Sequence, residues 1–110
     1  MTDAATRIYG PVQPGTGNAT LYTVAANDTA IIRNIHVMNT TGTAATISLS
    51  INGTAATAAN CFLYALSIPA NSTYDWSGFL VLAETDTLQG LQGTGSALTV
   101  IISAVVSTNV

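Results

Sequence analysis

The stretch Thr46-Ile47-Ser48-Leu49-Ser50-Ile51 decides the fold class. Apolar and hydroxyl residues alternate strictly, so Ile47, Leu49 and Ile51 share one face of an extended chain and the hydroxyls share the other. A helix would scatter the same residues around its circumference. Asn52-Gly53 follows at once, a pair suited to a type I′ turn, and ends the strand in a hairpin or tight corner.

Outward from this strand the pattern continues. Short runs rich in Val, Ile, Thr and Tyr are separated by Asn, Gly, Asp and Pro at intervals of about 8–12 residues, the signal of a sandwich or barrel. Strands are expected near residues 20–24, 29–39, 45–51, 61–68, 73–76, 79–82, 87–91 and 98–107. The expected fold is all-β: a single-domain antiparallel β-sandwich, jelly-roll-like, of about eight strands. Thr23-Val24-Ala25-Ala26-Asn27-Asp28-Thr29 resembles Ser67-Ile68-Pro69-Ala70-Asn71-Ser72-Thr73, and Ala83-Glu84-Thr85-Asp86-Thr87 echoes the end of the first. Asx side chains hydrogen-bond the backbone two residues on, so these read as three β-turns at one end of the sandwich.

Residues 1–18 differ from the rest. Arg7-Ile8-Tyr9-Gly10-Pro11-Val12-Gln13-Pro14-Gly15 carries two prolines and two glycines, which disfavours helix and central strand. This segment is expected to be an extended N-terminal arm or edge segment, with the sandwich domain over residues 19–110. Either it is the first edge strand or it reaches a neighbour. Arg7, Ile8, Tyr9 and Val12 are its candidate contact residues.

Composition bounds the function. The 110 residues carry 6% charged side chains, two arginines and no lysine, against 48% hydrophobic. Soluble domains ordinarily run near ~25% charged, so much of this surface is expected to meet other protein, in a homo-oligomer and a larger assembly. A net charge of −3 without clustered cations excludes nucleic acid and anionic membrane as partners. No basic and apolar leader is present, and no run is long enough to span a membrane, so the chain is expected to be a cytosolic product. Cys61, the single cysteine, reads as a small buried hydrophobe. The Asn-x-Ser/Thr triplets at Asn18, Asn27, Asn39, Asn52 and Asn71 are expected by chance in a chain so rich in Asn and Thr.

No chemistry emerges. His36 has no second His or Cys at metal spacing, so no metal site is expected, and no cofactor or small-molecule motif occurs. Gly90-Leu91-Gln92-Gly93-Thr94-Gly95 lacks a lysine and reads as a turn. Asp75, Glu84 and Asp86 could pair as acid and base, but read as solvated turn residues without a positive partner. No residue is expected to be catalytic.

Three features point to contact instead. In the last strand Leu98, Val100, Ile102, Ala104 and Val106 should face the core, while Ile101 and Val105 interrupt an otherwise polar second face. An exposed apolar stripe of this kind marks an interface. The strand around Arg33-Asn34-Ile35-His36 is mixed on both faces, which also favours outside contacts. Trp76, the only tryptophan, reads first as a subunit anchor, then as core, then as a glycan platform.

The segments Tyr9-Gly10-Pro11, Thr20-Leu21-Tyr22-Thr23-Val24-Ala25-Ala26, Ile31-Ile32-Arg33-Asn34-Ile35-His36-Val37-Met38-Asn39-Thr40-Thr41-Gly42, Ile68-Pro69-Ala70-Asn71, Phe79-Leu80-Val81-Leu82 and Asp86-Thr87-Leu88 together resemble small all-β virion proteins of tailed bacteriophages. The resemblance implies a non-enzymatic virion structural protein, foremost a capsid decoration (cement) protein on the head exterior. It would bind copies of itself, as a homotrimer, and the major capsid protein. A tail or fibre protein with a host-receptor or glycan-binding module is the alternative.

Overall fold

The computed structural model of the chain describes residues 2–53 and 55–108. Eight strands follow in order: β1 (Thr2–Val12), β2 (Ala19–Thr23), β3 (Asp28–Asn39), β4 (Ala45–Ile51), β5 (Cys61–Ile68), β6 (Thr73–Leu82), β7 (Thr87–Gln92) and β8 (Leu98–Thr108). They form two four-stranded antiparallel sheets, β1-β8-β3-β6 with strands of 10–12 residues and β2-β7-β4-β5 with strands of 5–8. The pairings β1–β8, β2–β7, β3–β6 and β4–β5 are nested, as in one long hairpin. Rolling that hairpin up adds the β3–β8 and β4–β7 ladders. This is a jelly roll.

The core lies between the sheets and follows the alternation. Ile47, Leu49 and Leu88 from the short sheet meet Ile32, Ile35, Val37, Val100 and Ile102 from the long one, all fully buried. Burial of each such side chain contributes about 1.5–3 kcal/mol. Gly90 of β7 makes room: a Cβ there would stand 2.6 Å from Leu49 Cδ2 and 2.8 Å from Leu21 Cδ1. Burial also pushes the Tyr9 phenol above its ordinary pKa, and that of Tyr22 for the same reason with Asp28 adding to it.

The structure corrects several sequence expectations. The two strands expected at 73–76 and 79–82 are one continuous strand, β6; Gly78-Phe79 bulges opposite Arg33 rather than breaking it. The eighth strand is β1, the edge strand that the sequence left open beside a free arm, paired with β8 along its whole length at the edge of the long sheet. The turns at Asn27 and Thr85 share one end of the sandwich, where Val24 N–H donates to Asp86 O and Thr85 N–H to Val24 O. The Asn71 turn lies at the other end, with Asn71 N–H on Thr41 O. Strand direction alternates, so a turn after β5 cannot share an end with turns after β2 and β6. Asp75 is not a turn residue but sits in β6, opposite His36.

The mixed character of β3 has a register cause. Ala104 to Ile102 in β8 spans the same rows as Ile32 to Ile35 in β3 and Leu80 to Trp76 in β6. Arg33 is therefore an extra residue relative to β8, and inward positions shift from Ala30 and Ile32 to Ile35, Val37 and Asn39. A bulge of this kind bends the strand and strengthens local twist.

Candidate interaction surface

The outer face of the long sheet carries an apolar row. Ala5 pairs with Val105, Val105 with Ile31 and Ile31 with Val81, one residue from each of the four strands. Val105, Ile31 and Val81 lie between inward-facing neighbours and so point away from the core, and Ala5 shares their face by its pairing with Val105. Val81 is 59% exposed and Phe79, two residues along, 72%. Farther along this face stand Ile101, half-buried, and Met38, exposed.

Beside that row lies a second of different chemistry. Arg7 pairs with Ser103 on one side of β8, and Arg33 bulges out on the other. The Arg33 guanidinium carbon sits 4.4 Å from the Phe79 ring centroid, and its Nε donates to Gly78 O at 3.2 Å. Stacking on the ring face and that hydrogen bond hold the side chain in place. Asn34 Nδ2 donates to Trp76 O, which pins the same bulge from below. His36 Nδ1 lies 2.6 Å from Asp75 Oδ1 in the next cross-strand pair.

The outer face of the short sheet is closed by its own polar groups. Gln89 Nε2 donates to Thr20 Oγ1 and Thr87 Oγ1, and its Oε1 accepts from Asn18 Nδ2. Ser48 Oγ accepts from Ala65 N–H across a bulge in β5. Cys61 is half-buried on this sheet rather than fully enclosed.

Of the contact candidates, Arg7, Ile101 and Val105 stand on the outer face of the long sheet. Ile8 and Tyr9 pack against the core, and Val12 is 46% exposed at the end of β1. Trp76 faces inward and packs against Phe62 of β5, ring centroids 6.3 Å apart. Phe79, Val81, Ile31 and Met38 were not singled out by sequence. The alternation in 79–82 is apolar on both faces, which was the available signal. Gln92 also went unread: it is fully buried, donating to Pro14 O and accepting from Ala97 and Leu98 N–H. Asn39, one of the discounted triplet asparagines, is buried and donates to Thr43 O and Ile68 O.

The possible acid–base residues do not converge. Glu84 accepts from Asn27 N–H and Asp86 from Ala83 N–H, each closing its turn, while Asp75 faces His36 on the sheet. Among the described residues no three His, Cys, Asp or Glu side chains gather as a metal site would need.

No family model and no curated protein matches the chain. A solved structure does share its fold. A chain from the structure of infectious bursal disease virus Gx strain superposes with a TM-score of 0.56 at 14% identity, over 98% of this chain and 32% of that one. A chain from the Gt strain structure gives 0.43 at 11% identity, over 97% and 30%. This chain therefore spans about a third of each chain it matches, and the likeness to the first is one of fold.

Proposed function

We propose that the chain is a non-enzymatic virion structural protein, a capsid decoration (cement) protein that stabilises a tailed-bacteriophage head through subunit contacts. The observation that carries this reading is the Ala5–Val105–Ile31–Val81 row, an apolar strip across the full width of a sheet face. Contiguous apolar surface of this kind marks a site of protein contact. The charge-poor composition supports the same reading, as does a fold shared with a chain of a virus structure. Any partner that binds only the folded, assembled form stabilises it by mass action, which is how a cement protein strengthens a shell. The partners are other copies of this chain and the major capsid protein. The location is the head exterior, after synthesis in the host cytoplasm.

A tail or fibre protein with a glycan site is the second reading, favoured by the exposed rings of Phe79 and Tyr64. Labelling purified particles with gold-conjugated antibody separates the two. Label over heads is the expected result, label over tail fibres selects the second reading, and particles without label contradict both.

A further inference from the structure

Both cations of the chain, Arg7 and Arg33, stand on the outer face of the long sheet, on the two strands that flank β8. Among the described residues neither forms an ion pair. On the same face Asp3 accepts from the Ser107 hydroxyl and Asp75 faces His36. The other three carboxylates, Asp28, Glu84 and Asp86, collect at the end of the sandwich built by the β2–β3 and β6–β7 turns, where no arginine stands. Glu84 and Asp86 are held there by backbone N–H groups and the Asn52 amide rather than by a cation. The same turns expose Ala25, Ala26 and Ala83. One end of the molecule thus offers small apolar residues with carboxylates, and one face offers an apolar row with arginines.

Resting on the reading of the chain as an assembly subunit, we infer that this acidic end of one copy seats on the outer face of the long sheet of a second copy. The alanines meet the Val105–Ile31–Val81 row and the carboxylates meet Arg33 and Arg7. Arg33 is set for this role. Stacked on Phe79 and tied through Nε, its terminal nitrogens remain as a fork for a carboxylate. The two patches differ, so the contact is heterologous: each copy gives one end and receives another. Such contacts close into rings where the rotation allows.

Charge exchange tests this. Wild type, Arg33→Glu, Glu84→Arg and the double variant are compared by light scattering after size exclusion, at about 50 mM and about 500 mM salt. Asp28→Asn serves as a further variant, because Glu84→Arg also removes the acceptor for Asn27 N–H. The wild type is expected to be a salt-sensitive oligomer, and each single charge reversal to weaken association by about tenfold or more. Asp28→Asn is expected to weaken it less, and the double variant to recover association. Far-UV circular dichroism confirms that each variant keeps its sheets. An oligomer indifferent to salt and to all variants overturns the end-on-face contact while leaving the assembly reading intact. A wild type that is monomeric alone and loses particle attachment on Arg33→Glu also overturns it, by giving the face to a different virion protein.

Discussion

On the short sheet the outward row through Thr20, Gln89 and Ser50 is closed largely by side chains of the same sheet, whereas on the long sheet the outward row through Ala5, Val105, Ile31 and Val81 has no polar groups to close. Both sheets obey the same inward alternation and share one core. What separates them is where the outer face finds its partners. Polar side chains on a pleated face can satisfy one another locally. Aliphatic ones gain only by leaving water, and on the long sheet's row Val81 is left exposed while Ile31 and Val105 are half-buried. The molecule therefore has one sheet whose outer polar groups largely satisfy one another and one whose outer face leaves an aliphatic row, the face proposed above as the contact.

The largest effects should be blind to this division. Leu49→Ala on the short sheet and Ile35→Ala on the long one each remove a fully buried side chain, and each is expected to cost about 2–5 kcal/mol in urea unfolding. A cost confined to one sheet would mean that the two do not share a core.

Next in size is Gln92→Leu. It leaves Pro14 O and the Ala97 and Leu98 N–H groups without their partner, so a loss of about 2 kcal/mol is expected by the same measurement. This residue also shows where sequence reading stops. The strict alternation of 46–51 exposed β4 and its facing core, and the Asn-, Thr- and Gly-rich punctuation exposed most strand boundaries. Gln92, between glycines, looked like part of a turn, although Leu88, Gly90 and Gln92 share one face of β7. The Arg33 bulge had no glycine or proline to announce it; only pairing with β8 reveals the extra residue. Ser77-Gly78 carried the opposite problem, a turn-like dipeptide that cross-strand pairing with β3 keeps extended. On the proposed contact face, Ile101 and Val105 were legible from the period of β8. Their neighbours Ile31 and Val81 come from strands distant in sequence, and only topology aligns them.

Smaller, and opposite in sign, is Ser50→Ala. The Ser50 hydroxyl is buried on the outer side of the short sheet and makes no hydrogen bond within the protein. Removing it is expected to raise stability by up to about 1 kcal/mol. A loss of that size would show that the short sheet too depends on a partner, bridging water included.

The smallest effect on folding should fall on the apolar row. Val105→Thr is expected to change the stability of the dissociated subunit by about 0.5 kcal/mol or less, read from unfolding at high dilution. Its effect should appear instead in association, with weaker self-assembly and lower occupancy on particles.

Cysteine protection compares the sheets directly. In a Cys61→Ser background, Val81→Cys reports the long sheet's outer face and Tyr64→Cys the exposed edge strand of the short sheet. Maleimide labelling rates are measured for the free subunit and for purified particles. The account predicts that position 81 becomes strongly protected on particles while position 64 keeps most of its reactivity. Equal labelling of position 81 in both states would contradict it.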